Sequence, residues 1–271
     1  MTVSSPSPAE IETTGLCRSF GELVVVDHLD LSIARGSVFG LLGSNGAGKS
    51  TTIKMLSTLL PPSAGVARVA GFDVVRAPLE VRRRIGYVPQ LLSADPGLTG
   101  YENLLLSAKL YGIPRAERGP RIEQALAFMG LSSAAGALLR IYSGGMIRRL
   151  EIAQSMLHRP RVLFLDEPTV GLDPVARRAV WEKLRELVRG LGTTVLLTTH
   201  DMEEADDLCE QIGLMHNGRL VASGTPEELK ASVRPEATLD DVFAHYTGGA
   251  LTQGGNYRDV ARTRRTAQRL G

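Results

Sequence analysis

The chain has little of what marks a secreted, membrane-spanning or nucleic-acid-binding protein. Its 271 residues include two cysteines, Cys17 and Cys209, which lack metal-ligand spacing and indicate reduced thiols rather than a disulfide framework. A net charge of +2 calls for no nucleic-acid partner. No apolar run approaches the ~18 residues of a spanning helix, so we expect no transport path within this chain. Residues 1–8 have neither a basic start nor an apolar stretch, and no secretory signal is predicted.

A phosphate-binding motif follows a short apolar run at residues 38–42. It fits the pattern G-x-x-x-x-G-K-[S/T], which about one unrelated chain per hundred of this length would match by accident. Its members are Gly43, Ser44, Asn45, Gly46, Ala47, Gly48, Lys49, Ser50 and Thr51. A buried strand before it, and a helix predicted from Ile53 through Leu60, favour a nucleotide site over a glycine-rich turn. We expect Lys49 to reach the β- and γ-phosphates of a nucleoside triphosphate and Ser50 to bind Mg²⁺.

Two acids follow a second apolar run at residues 162–165. Asp166 and Glu167 end a predicted buried strand, and ligands of open parallel sheets collect at such strand ends. Adjacent residues of an extended strand point in opposite directions, so the two acids can take different roles. Asp166 suits Mg²⁺, and Glu167 suits polarising the water that attacks the γ-phosphate. The alternative is a solvated strand end.

Between these segments lie Ser143, Gly144 and Gly145, at the start of a predicted helix. At this point the chain resembles the ATP-binding subunits of ABC transporters, whose signature sequence is LSGGQ. It departs from that signature at Tyr142 and Met146, and the Met is similar to the drug-resistance (daunorubicin-type) exporter ATPases. The resemblance implies that the Ser-Gly-Gly core contacts an ATP held by another subunit.

The resemblance covers roughly residues 11–229 and implies further site residues. Gln90 matches a glutamine that contacts the magnesium ion and senses the membrane partner, and His200 matches a switch histidine that bonds the γ-phosphate. Asp173 lies in a loop that crosses the subunit interface, and Phe20 matches the aromatic residue that stacks on adenine. Each has a plainer alternative: a surface glutamine, an inert histidine, an ordinary turn and a core phenylalanine.

The predicted fold is α/β, a P-loop NTPase with a mostly parallel central sheet. The resemblance adds an antiparallel β subdomain and an inserted helical subdomain. The ATPase domain is expected at residues 11–230, with the helical insertion at about 91–158. A disordered lead is expected at residues 1–10, a helical element at 231–248 and a basic, disordered tail at 249–271, where attraction to anionic lipid is a minor option.

One apolar helical face near the C-terminus has two interpretations. Leu239, Val242, Phe243 and Tyr246 recur at helical spacing, which is typical of a docked terminal helix. The same stretch resembles the tail of drug-resistance exporter ATPases, where a short element supports subunit pairing. Both interpretations predict a helix.

The functional prediction is an ATP-hydrolysing subunit that drives a separate membrane permease through ATP-dependent dimerisation. We expect a second copy as its ATPase partner, a peripheral location at the cytoplasmic face of the cell membrane, and export of a drug-like, lipid or other amphipathic compound. The alternatives are an importer ATPase, a soluble ABC clamp on nucleic acid and a small-molecule kinase. About fifty residues separate Gln90 from Ser143, too few for the long coiled coil of DNA-repair clamps, and we expect no nucleic-acid partner.

Overall fold

The computed structural model describes residues 9–248, which form ten strands and nine α-helices. Residues 1–8 of the lead predicted at 1–10, and the predicted tail at 249–271, lie outside this range. The first strand begins at Ala9, two residues before the predicted start of the domain. Within residues 9–248, no helix is both long enough and apolar enough to cross a membrane.

A six-stranded sheet with the order β10-β9-β3-β8-β7-β6 forms the centre of the fold. Every neighbouring pair is parallel except β9 and β10, which form a hairpin. The buried apolar runs predicted as strands belong to it, as parallel sheets covered on both faces require. Its strands are β3 (Val38–Leu42), β6 (Ile85–Val88), β7 (Val162–Asp166), β8 (Thr194–Thr199), β9 (Gln211–His216) and β10 (Arg219–Gly224).

A second, antiparallel sheet covers one face of the first. Its order is β2-β1-β4-β5, and its strands are β1 (Ala9–Phe20), β2 (Leu23–Ala34), β4 (Ala64–Val69) and β5 (Phe72–Asp73). Alternation along β3 explains the two layers: Phe39 and Leu41 pack towards the antiparallel sheet, and Val38 and Leu42 pack on the helical side. The predicted fold class is therefore confirmed.

Helices occupy the remaining layers. The first is α1 (Lys49–Leu56), directly after the phosphate-binding motif, and α2 (Pro78–Arg82) follows the antiparallel sheet. Three helices that pack on one another lie between β6 and β7, where the insertion was predicted, and the first begins with a capping box at Thr99. They are α3 (Gly100–Leu110), α4 (Arg115–Phe128) and α5 (Gly144–Met156). Beyond them come α6 (Pro174–Leu191) and α7 (Met202–Leu208).

The predicted C-terminal helix packs against the rest of the domain. After α8 (Pro226–Ala231), α9 (Leu239–Thr247) places its apolar stripe on α7 and α8. Leu239, Val242 and Phe243 are buried in the helical-side core. The stripe thus has a packing partner within the chain.

The first helix is shorter than predicted. It ends at Leu56, and Thr58 adopts a positive φ of 64° that turns the chain. The amides of Leu59 and Leu60 then donate to the Lys54 carbonyl at 2.9 and 3.0 Å, which closes the helix. Leu60 still packs against the core from this turn, so the helical spacing continues past the end of the helix.

Candidate nucleotide-binding site

The phosphate-binding loop leaves the N-terminus of α1 open. Gly46 and Gly48 have φ values of 83° and 104°, in the left-handed region that favours glycine. Gly48 is the N-cap of α1, and no side chain caps the helix. Close packing explains Gly43, since a Cβ there would lie 2.3 Å from the Met215 carbonyl oxygen. An uncapped helix N-terminus beside a glycine-rich loop is suited to binding phosphate.

An open cavity of about 430 Å³ lies over this loop. Its lining brings Gln90 and Glu167 to the phosphate-binding residues, which the sequence separates widely. Val25 of β2 also contributes to the lining, although sequence reasoning missed it because a single apolar residue on a strand carries no distinctive signal. The lining residues are Val25, Asn45, Gly46, Ala47, Gly48, Lys49, Ser50, Thr51, Gln90 and Glu167.

Lys49 is buried within the loop that it is predicted to serve. Its Nζ donates to the carbonyl oxygens of Gly43 at 2.7 Å and Ser44 at 3.0 Å, and lies 3.9 Å from Glu167 Oε1. Burial lowers the pKa of this ammonium, and the charges of Glu167 and Asp166 oppose that effect. A buried cation held by two carbonyls can exchange these partners for phosphate oxygens.

Ser50 and Asp166 meet at the carboxyl end of the central sheet. The Ser50 hydroxyl donates to Asp166 Oδ1 at 2.8 Å, and the Thr198 hydroxyl donates to the same oxygen at 2.6 Å. Hydroxyl and carboxylate oxygens are the ligand types that Mg²⁺ prefers, so these residues fit the predicted ion. The sequence did not single out Thr198, because a threonine at a strand end is common.

Glu167 differs from its predicted conformation. The strand ends at Asp166, and Glu167 has a φ of 49°, so the two acids do not alternate along one extended strand as expected. The Glu167 amide donates to the Thr198 hydroxyl at 3.0 Å and carbonyl at 3.1 Å, which holds this turn in place. The acids still point to different partners, but a left-handed turn, not the strand pleat, separates them.

The carboxylate of Glu167 gathers the other predicted catalytic residues. Its Oε2 accepts a hydrogen bond from Gln90 Nε2 at 2.8 Å, and its Oε1 lies 3.1 Å from His200 Nδ1. Glu167 is buried, whereas His200 remains exposed just after β8. A buried carboxylate between an amide, an imidazole and an ammonium can position a water molecule for attack on phosphate.

The Ser-Gly-Gly residues lie outside this cavity lining. Ser143 is the N-cap of α5, with its hydroxyl accepting from the Met146 amide at 3.3 Å, and it is exposed. A Cβ at Gly145 would lie 2.7 Å from the Ala176 Cβ, so glycine permits close packing of α5 on α6. Asp173 is exposed and caps α6, accepting from the amides of Val175 and Ala176.

Tyr142, the first departure from LSGGQ, is part of the local packing. Its side chain is buried, and its hydroxyl donates to the Ala134 carbonyl at 2.6 Å. Gly100 makes room for it, since a Cβ at that position would lie 2.3 Å from the tyrosine oxygen. The tyrosine thus anchors the start of α5 to the segment that follows α4 and to the start of α3.

Phe20 lies at the end of β1 and not in the core. Its side chain is 47% exposed, and the Arg18 guanidinium lies 4.5 Å from the ring centroid. An exposed ring on the strand next to Val25 is compatible with stacking on a base. The core alternative for this residue is therefore wrong.

Comparison with known proteins agrees with this geometry. The ABC transporter family matches residues 26–170. The daunorubicin/doxorubicin resistance ATP-binding protein DrrA of Streptomyces peucetius is 51% identical over 223 residues, covering 82% of this chain and 67% of that protein. The Nod factor export ATP-binding protein I of Ralstonia nicotianae is 45% identical over 219 residues, covering 81% and 68%.

Solved structures similar to this chain include ATP-binding subunits of the same family. One described as an ATP-binding subunit of an ABC transporter superposes with a TM-score of 0.77 at 31% identity, covering 87% of this chain and 98% of the other. Another, cbiO1 of Clostridium perfringens, part of the transporter complex cbiONQ, has a TM-score of 0.76 at 27% identity, covering 83% and 92%. The chain therefore belongs to the ABC transporter family, as an ATP-binding subunit whose reaction is ATP hydrolysis.

Proposed function

We propose that this subunit hydrolyses ATP at Glu167 to drive export through a separate membrane permease. The observation that carries the proposal is the convergence of Gln90, His200 and Lys49 on that carboxylate, beside an uncapped helix N-terminus. A small-molecule kinase needs the phosphate-binding loop but has no need of this grouping.

The charged and polar side chains that meet at the cavity take separate roles in hydrolysis. Lys49 binds the β- and γ-phosphates, and Glu167 accepts a proton from the attacking water. Ser50, Asp166 and Gln90 would hold Mg²⁺, which would supply positive charge that offsets the charge of the phosphates. His200 donates a hydrogen bond to the γ-phosphate.

A second copy of this chain completes the site. Ser143 and Gly144 are exposed and lie outside the lining of their own cavity, which supports a role in binding an ATP held by a partner. Val170 and Val175, on either side of Asp173, are also exposed, and a head-to-tail partner would cover them. ATP must favour the closed pair by roughly 5 kcal/mol to convert a mostly open population into a mostly closed one.

The permease docks on the helical insertion. A groove of about 240 Å³ lies between α3 and the Gln90 loop, which is the segment between β6 and α3 (residues 89–99). Leu110 in the groove lining is 79% exposed, and Leu91 in the loop is 81% exposed. Exposed leucines on both the helix and the loop favour an interaction surface here. Such docking would hold the subunit at the cytoplasmic face of the membrane.

Export of a drug-like, lipid or other amphipathic compound is the substrate class that the relatives support. The two relatives above are named for daunorubicin/doxorubicin resistance and Nod factor export. Met146 in the signature motif is consistent with this direction of transport.

Docking can be tested by affinity purification from native membranes in mild detergent with ATP. With Glu167→Gln as background, we expect a multi-spanning permease to co-purify. Adding Leu91→Ser and Leu110→Ser should abolish its recovery, whereas Leu191→Ser, an exposed leucine at the end of α6, should not. Recovery of ribosomes or DNA-repair proteins instead of a permease would contradict the proposal.

A further inference from the structure

The helix that begins with the Ser-Gly-Gly residues carries a buried charge pair. The side chains of Arg148 and Glu151 on α5 are 4% and 1% exposed, and Arg148 Nη1 lies 3.1 Å from Glu151 Oε2. Burying two charges costs several kcal/mol per ion before their attraction is counted, and apolar residues of similar volume often stabilise a core better. Packing alone therefore does not explain why charged residues occupy these positions.

Both members of the pair also bind the loop that contains Gln90. Arg148 donates to the Pro89 carbonyl at 2.8 Å and to the Gln90 carbonyl at 3.0 Å. Glu151 Oε1 accepts from the Ser93 amide at 2.5 Å and from the Ser93 hydroxyl at 3.1 Å. The pair thus holds the loop on both sides of Gln90, with charge-assisted hydrogen bonds that are stronger than neutral ones.

The pair lies between three functional regions. Through Gln90 it is one hydrogen bond from the Glu167 carboxylate, which accepts from the Gln90 side chain at 2.8 Å. On the same helix, Ser143 lies at the N-terminus. Glu151 also lines the groove where the permease is proposed to dock. A series of direct contacts therefore connects α5 and the groove to the Glu167 carboxylate.

We propose that Arg148 and Glu151 are positioning residues that hold the Gln90 loop and α5 together as one unit. On this account, which rests on the proposed function, Gln90 reaches Glu167 and the magnesium ion when α5 is in its correct place. Two events would then act on hydrolysis through this pair: binding of ATP to the Ser-Gly-Gly residues at the start of α5, and docking of the permease at the groove.

The test is to replace both charges at once, Arg148→Met with Glu151→Leu, so that neither charge is left unpaired. At a temperature where circular dichroism shows all proteins folded, we expect unchanged ATP affinity and a kcat lower by ~10- to 100-fold, since small misplacements near chemistry cost this much. The Mg²⁺ concentration for half-maximal rate should rise. Arg148→Lys, which keeps the charge but not the planar fork, should retain part of the activity.

Arg121→Met is the matched control. Arg121 donates to the Leu157 carbonyl just beyond the other end of α5, so this variant also removes an arginine that ties a neighbouring element to the helix. We expect it to keep the wild-type kcat. A double variant with the wild-type kcat, or a control that loses as much activity, would overturn the positioning role.

Hydrogen exchange of the backbone amides of residues 90–93 separates this inference from the proposed function. The double variant should exchange these amides faster than wild type in the nucleotide-free protein, whatever its activity, and equal protection would also refute the inference. Absence of hydrolysis by the wild-type chain, even with its permease, would refute the proposed function but leave this readout intact.

Discussion

Replacing the carboxylate of Glu167 by an amide tests the catalytic assignment most sharply. The change Glu167→Gln keeps the shape of a buried side chain that accepts from Gln90 at 2.8 Å and lies 3.1 Å from His200 Nδ1. An amide retains one hydrogen-bonding oxygen but accepts protons poorly. The packing should persist, and the proton acceptor is lost.

The expected effect on rate is large. Removing a positioned general base costs ~10²- to 10⁴-fold in kcat, or about 3–5 kcal/mol of transition-state stabilisation. ATP affinity should not fall, because the ammonium of Lys49 lies 3.9 Å from this carboxylate. The attraction between these two charges is about 4 kcal/mol at an effective dielectric constant of 20. The variant lacks it, so the carboxylate no longer competes with phosphate for the lysine. Because ATP stays bound and unhydrolysed, the closed dimer should accumulate.

Two measurements check this expectation. Phosphate release with Mg²⁺ and ATP should fall by ~10²- to 10⁴-fold in the Glu167→Gln variant, and light scattering should show a dimer when ATP is present. Glu203→Gln serves as the control, because Glu203 is an exposed carboxylate in α7. Wild-type turnover in Glu167→Gln would refute the reasoning, as would an equal loss in the control.

Three further predictions concern binding and stability. Lys49→Ala should lose measurable ATP affinity in a titration by calorimetry, and unchanged affinity would contradict the phosphate-binding assignment. Tyr142→Phe removes the 2.6 Å hydrogen bond to the Ala134 carbonyl and should lower the unfolding free energy by about 1 kcal/mol, seen as a Tm lower by roughly 2–4 °C; an unchanged Tm would contradict it. Burial raises the pKa of Glu204, so the folded state binds more protons than the unfolded state and stability is lost as pH rises through the folded-state pKa. The unfolding free energy of Glu204→Gln in urea, relative to that of wild type, should therefore increase as pH rises above the ordinary glutamate pKa of 4.5, and a pH-independent difference would disprove this.

The sequence predicts the fold and most of the site because each motif combines a local pattern with a definite chemical requirement. Gly48, for example, has a φ of 104°, a backbone conformation that residues other than glycine rarely adopt. The end of α1 was misplaced because Leu60 packs on the core from a turn, and burial, not helix geometry, sets the apolar spacing. The turn at Glu167 was missed because nothing in a carboxylate signals a left-handed φ.

Contacts between residues far apart in the chain could not be predicted from the sequence. Arg148 and Glu151 have the spacing of an ordinary solvent-exposed ion pair on a helix. Their opposite charges stand among apolar residues such as Leu150 and Ile152, and this is the signal that could have marked them as buried. Their partners, 58 or 59 residues away in the Gln90 loop, become visible once the chain has folded.

The central claim is that two copies of the chain share each catalytic site, and mixing two inactive variants tests it directly. Lys49→Ala removes the phosphate-binding lysine, and Ser143→Arg blocks the exposed signature residue. In a head-to-tail pair of one copy of each variant, both changes fall in one site and the other site is intact. The account predicts ATP hydrolysis in the mixture at a rate well above that of either variant alone. A mixture no more active than the separate variants, despite ATP-dependent dimers in light scattering, would contradict it.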